Sequence, residues 1–96
     1  MRYAMHLDRL LEQDVVLDYV CQPKTWLGVP ENVYVPDFLI IPHGGPAYYV
    51  DVKGMETAKF KRDKKLWKAY GRLALHVVKA KGQKFYVSEV IDAARS

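Results

Sequence analysis

The sequence predicts a small α/β domain: a mixed β-sheet of about four strands flanked by helices, in the order α-β-β-β-α-β-α. Three observations carry this. Runs rich in β-branched and aromatic residues at 15–22, 33–41, 47–53 and 75–79 are bounded by Pro or Gly, as strands are. Apolar residues recur at helical spacing near the start and in the middle of the chain. Finally, 96 residues supply one modest core, since a chain this short buries only about two-thirds of its unfolded surface. Residues 1–96 are therefore expected to form one domain.

Taken in order, residues 3–13 set Tyr3, Leu7, Leu10 and Leu11 on one face, with Asp8, Arg9 and Glu12 elsewhere, which predicts a short amphipathic helix. Val15 to Gln22 reads as a strand stopped by Pro23, and 23–31, with two Pro and a Gly, as a loop. Val33 to Ile41 is a second strand, with Pro36 at an edge or bulge. Pro42-His43-Gly44-Gly45-Pro46 is a turn, because Gly supplies positive φ and Pro cannot continue a ladder. Ala47 to Lys53 is a third strand. Thr57 is placed to cap a helix running to Tyr70 and ended by Gly71, with Phe60, Trp67, Tyr70 and Ala74 as its apolar stripe. Leu75 to Lys79 is a fourth strand, Lys81-Gly82-Gln83 a turn, and Ser88 the expected cap of a last helix to Ala94.

Half the residues are hydrophobic and 27% are charged, a globular composition. No apolar run approaches the roughly 20 residues of a bilayer span, and Met1-Arg2-Tyr3 opens no signal peptide, so no membrane partner is expected. The single Cys21 cannot form an internal disulfide. Together these predict a cytosolic protein. Cys21 also lacks an adjacent His or basic residue to lower its pKa, which favours a buried apolar role over a nucleophile.

Charge is unevenly spread. Residues 1–52 hold three basic and seven acidic side chains, whereas 53–84 hold eleven basic and two acidic ones. A positive segment beside one carrying carboxylates suggests a polyanion partner next to a metal or acid–base site. A solvated Lys-rich helix face is the plain alternative.

Alternation along a strand puts Asp51 and Lys53 on one side. If Gly44 is the centre of the hairpin, Asp37 faces Asp51, Phe38 faces Val50 and Leu39 faces Tyr49. Carboxylates directly opposite each other destabilise a sheet unless a cation sits between them. Mg²⁺ is the natural one, since it takes one or two carboxylates plus waters and phosphate. An ammonium at Lys53 would then orient a water or steady a phosphate in flight. Taken alone, acid-x-Lys is common, and Asp51 and Lys53 would make a weak surface pair. A preceding strand with Pro36-Asp37 in register makes it far more specific.

Tyr34-Val35-Pro36-Asp37-Phe38-Leu39-Ile40 and Asp51-Val52-Lys53-Gly54, with thirteen residues between Asp37 and Asp51, resemble the signature of the PD-(D/E)xK nuclease superfamily. Gln22-Pro23 before the hairpin, and Gly54-Met55-Glu56-Thr57 running into Lys64-Lys65-Leu66, resemble its small phage-encoded endonucleases. Branched-DNA (Holliday junction) resolvases and TnsA-like nucleases share the outline. The resemblance spans about residues 10–80. It implies a restriction-endonuclease-like fold and a hydrolase: a Mg²⁺-dependent endodeoxyribonuclease, with Mn²⁺ able to substitute. Asp37, Asp51 and the Val52 carbonyl would bind metal, and Lys53 would be the catalytic lysine beside the two aspartates. DNA would lie on Lys59, Lys61, Arg62, Lys64, Lys65 and Lys68. Branched DNA cut by a homodimer, in phage-type recombination or replication in a bacterial host cytoplasm, is the implied setting. The alternative is a DNA-binding protein that keeps the scaffold but is catalytically impaired.

One part of the family pattern is absent. A Glu usually projects from the first helix, but here that stretch reads Tyr3-Ala4-Met5-His6, and Glu12 lies at the wrong end. His6 is the available substitute, against an ordinary surface role. His43 and His76 lack partners at ligand spacing. Glu56 fits either the site or the charge preference of a helix start. Trp67 fits the helix stripe and a core position, while Trp26, in the loop, is open to stacking on a base.

Overall fold

A computed structural model of the chain describes residues 2–94. Helix α1 (Arg2–Glu12) leads into strand β1 (Val16–Cys21), followed by a two-residue pair, β2 (Thr25–Trp26) and β3 (Val33–Tyr34). Strands β4 (Phe38–Pro42) and β5 (Tyr48–Val52) precede helix α2 (Ala58–Tyr70), and β6 (Leu75–Lys81) and β7 (Lys84–Ile91) close the chain. The main sheet is mixed and five-stranded, in the order β1-β4-β5-β6-β7, while β2 and β3 form a separate ribbon. Among the described residues, only β5 and β6 run parallel. Parallel neighbours need a crossover, and α2 supplies it.

The central hairpin pairs Phe38 with Val50, Leu39 with Tyr49 and Ile40 with Tyr48, as a turn centred on Gly44 requires. Gly44 has a φ of +81°, which explains the glycine there. Thr57 caps α2, its side chain accepting from the Phe60 N–H at 3.1 Å. Gly71 ends the helix for a steric reason. Its φ is −63°, but a Cβ would lie 2.4 Å from the Trp67 indole nitrogen. That indole N–H donates to the Leu73 carbonyl at 2.9 Å.

Four expectations are corrected. In place of the helix expected from Ser88, residues 84–91 form β7, turned back by Gly82-Gln83 so that Lys81 pairs with Lys84. The β-branched and aromatic content of Phe85, Tyr86, Val87, Val90 and Ile91 outweighs the capping signal. Ser88 sits at a β-bulge, where its hydroxyl donates to the Val77 carbonyl. The second strand breaks at buried Pro36: Val33 and Tyr34 pair with β2, and the main sheet resumes at Phe38. Cys21 is exposed rather than buried, and so is Tyr70, whose ring lies over Gly28.

The sheet separates two apolar clusters. On one face α1 brings Tyr3 and Leu7 onto Phe38, Ile40, Val50 and Val78. On the other, α2 brings Phe60 and Trp67 onto Leu75, Val77 and Ile91, joined by Leu27 and Tyr34 from the ribbon. Fully burying each such side chain is worth about 1.5–3 kcal/mol. With Phe38 and Val50 on the α1 face, alternation turns Asp37, Asp51 and Lys53 toward the α2 face. The sheet thus delivers all three acidic and basic groups to the side where the ribbon and α2 meet.

Candidate metal and phosphate site

Asp51 is 2% exposed, an unusual place for a carboxylate, and both of its oxygens are engaged. Oδ1 accepts the Asp37 main-chain N–H at 3.0 Å, and Oδ2 accepts the Tyr34 hydroxyl. Asp37 reciprocates, its Oδ2 accepting the Val52 N–H at 2.8 Å. The β4–β5 ladder ends at Phe38 and Val50, and beyond that pair the two carboxylates stand where strand carbonyls would otherwise be. No buried side-chain nitrogen or oxygen among the described residues lacks a partner.

Burial is the main force on the Asp51 carboxyl and raises its pKa. The Tyr34 hydroxyl, the Lys53 charge and the Asp37 amide pull it back, while the Asp37 charge pushes the same way as burial. The Tyr34 phenol is raised too, by burial first and the Asp51 charge next, so it remains a donor across the physiological range. Lys53 anchors its backbone to the Val78 carbonyl at 2.8 Å and lays its ammonium 4.6 Å from the Phe60 ring centroid. It opens onto a cleft of about 320 Å³, lined also by Tyr34, Val35, Thr57, Phe60 and Asp63. The Val52 N–H faces β4, and a strand residue's N–H and C=O point the same way, so its carbonyl lies on the Asp37 side.

The sequence-predicted triad of Asp37, Asp51 and Lys53 is therefore gathered, with Val52 beside it. The helix lysines divide. Lys61, Lys65 and Lys68 are exposed along one α2 face and make no ion pair with other described residues. Lys59 and Arg62, also outward, lie 3.2 and 3.9 Å from Asp63. Lys64 turns inward, holding Glu56 and, at 2.9 Å, Glu89 of β7. Glu56 also lies 3.6 Å from Lys79, which makes it a brace rather than a member of the site.

His6 packs in an aromatic group, 5.3 Å from the Tyr3 ring and 5.9 Å from Phe85. Its neighbours belong to the α1 side of the sheet, away from Asp51. His76 stacks on Tyr48 at 4.1 Å and its pKa is lowered by burial, while His43 is exposed in the turn. Among the described residues no third His, Cys, Asp or Glu joins Asp37 and Asp51 as a ligand group. Sequence reasoning missed Tyr34 as the residue that holds Asp51. Its place three residues before Asp37 was visible, but its aim depends on the separate ribbon.

No described helix is long and apolar enough to cross a membrane. A family model described as "Protein of unknown function (DUF1064)" matches residues 2–86. No curated protein and no solved structure gives a match. With nearly the whole chain matched, this protein belongs to the DUF1064 family.

Proposed function

We propose that this chain is a metal-dependent DNA endonuclease hydrolysing phosphodiester bonds, acting on branched or structured DNA. The observation that carries the reading is the interlocked Asp37–Asp51 pair with Lys53 on the same sheet face. Two carboxylates and a backbone carbonyl are hard oxygen donors, which fits Mg²⁺, or Mn²⁺ in its place. Asp37, Asp51 and the Val52 carbonyl would hold the ion. When bound, it would polarise the scissile phosphate and lower the pKa of a coordinated water.

The chain's own residues do the rest. Tyr34 and the Asp37 amide fix the Asp51 carboxylate in one orientation, so that no rotamer search precedes binding. The Lys53 ammonium, beside the Phe60 ring in the cleft lining, steadies negative charge building on the phosphate. Lys61, Lys65 and Lys68 follow the DNA backbone, with Lys59 and Arg62 available at the cleft edge. Such contacts carry no base sequence, so selectivity comes from DNA shape. A two-fold homodimer in a bacterial cytoplasm would present one site to each strand.

A second reading has its own support. With two acidic ligands and no third among the described residues, the chain fits a DNA-binding protein whose cleavage chemistry is impaired. Plasmid and four-way-junction DNA incubated with Mg²⁺ or Mn²⁺ separates the two. An endonuclease cuts them; a binder shifts them in a gel and leaves them intact.

A further inference from the structure

The ribbon of β2 and β3 has two faces with different fates. Thr25, Leu27 and Tyr34 turn into the core, where the Tyr34 ring meets Trp67 with centroids 5.7 Å apart. The connecting loop is tied as well: the Leu27 N–H donates to the Asn32 carbonyl at 2.9 Å, and the Asn32 side chain donates back to Leu27 at 3.2 Å. A ribbon anchored on one side presents its other side rigidly. That side carries Trp26 at 54% exposure, its cross-strand partner Val33 at 45%, and Val35 at 46%. A tryptophan that could have been spared this exposure is held in water on a fixed platform.

Charge says what covers it. Val33 and Val35 line the same cleft as Lys53 and Lys59, and Val33 continues into an adjoining cleft of about 160 Å³ with Arg62. Lys24 lies two residues before Trp26 and is exposed. The acids lining these two clefts are Glu31 and Asp63, with Asp63 already engaged by Lys59 and Arg62, while Asp37 and Asp51 stand behind Tyr34 and hold backbone amides. An apolar, aromatic surface rimmed by cations suits a ligand with flat apolar faces strung on a polyanion. Bases in a duplex hide their faces in the stack, whereas unpaired ones offer them.

We propose that Trp26, with Val33 and Val35 beside it, is a stacking platform for an unpaired base of single-stranded or splayed DNA, whose phosphates lie along the Lys53–Lys59 cleft. The proposal rests on the nuclease reading for the choice of DNA, and deepens it by requiring an unpaired base beside the site. A flap or fork would then bind better than an unbroken duplex.

Trp67 is 1% exposed, so nucleobase quenching of tryptophan emission reports Trp26. The test titrates the whole protein, in EDTA, with oligo-dT, a flapped duplex and a blunt duplex. The expected result is saturable quenching by the first two and little by the third. Trp26→Ala should weaken flap binding about tenfold against blunt duplex, and Trp26→Phe should restore most of it. Equal quenching by blunt duplex, or equal loss of affinity for all three DNAs, overturns the platform. Emission that changes with protein concentration alone would mean a second copy covers the patch, and also overturns it. Cleavage in Mg²⁺ is read separately. Cleavage without selective quenching sinks the platform alone; selective quenching without cleavage sinks the nuclease reading alone.

Discussion

Asp37 and Asp51 hold each other's strands: the Asp37 amide donates to Asp51 at 3.0 Å, and the Asp37 carboxylate takes the Val52 amide at 2.8 Å. The repulsion expected of facing carboxylates is offset by these backbone donors and by Tyr34. The two carboxyl groups are thereby held together at the strand ends.

Removing the phenol tests Tyr34's part. Tyr34→Phe leaves a buried carboxylate oxygen without its donor, which should cost about 1–3 kcal/mol in a urea melt at neutral pH. The Asp51 carboxyl should also rise further, because a hydrogen bond that lowers its pKa is gone. An NMR titration with metal removed, showing Asp51 unmoved in this variant, would contradict the contact.

The raised Asp51 carboxyl gives a pH dependence with a definite sign. Between the ordinary aspartate value near 3.9 and the higher folded value, the folded chain keeps a proton that the unfolded chain has lost. Stability from this group is fully present below the unfolded value and falls as pH rises through the folded one. In EDTA, Asp51→Asn should therefore gain on the parent as pH rises from the ordinary aspartate range toward neutrality. A stability difference that stays flat over that range would count against a buried, raised carboxyl.

The order of the central elements was legible in the sequence because its signals were local. Pro-Gly punctuation centred the hairpin on Gly44, and period-two alternation then put Asp37, Asp51 and Lys53 on one face. What was illegible depended on partners far along the chain. Residues 84–91 show a strand's residue preference but also a Ser cap, and pairing with β6 decides between them. A last helix capped by Ser88 gives no reason to expect Glu89 beside α2, so the sequence alone does not separate Lys64 from Lys65. Tyr34 likewise falls within the second strand that the sequence predicts, and the break at Pro36 is what turns its ring toward Asp51.

The divided lysines make a paired prediction. Replacing Lys61, Lys65 and Lys68 by Ala should weaken binding to all DNAs and flatten the salt dependence by about one unit of slope per lost phosphate contact. Lys64→Ala should do the reverse, lowering the melting temperature by leaving Glu56 and Glu89 without their shared cation, with little change in slope. If Lys64→Ala shifted the salt slope as much as the triple variant, the inward placement would be wrong.

Gly71→Ala probes the helix end. A methyl 2.4 Å from the Trp67 indole forces that buried ring to move, at about 1–3 kcal/mol, with a change in tryptophan emission. A variant that melts like the parent would show that the close approach is not real.

The central claim is that Asp51 and Lys53 act on one phosphate while other residues hold the DNA. Its most direct measurement is cleavage of branched DNA in Mg²⁺ by the parent, Asp51→Asn and Lys53→Ala, with DNA affinity measured alongside in EDTA. The account predicts cleavage by the parent, a loss of about a hundredfold or more in each variant, and an affinity that changes far less than cleavage. No cleavage by the parent in Mg²⁺ or Mn²⁺, or cleavage at the parental rate by either variant, would contradict it.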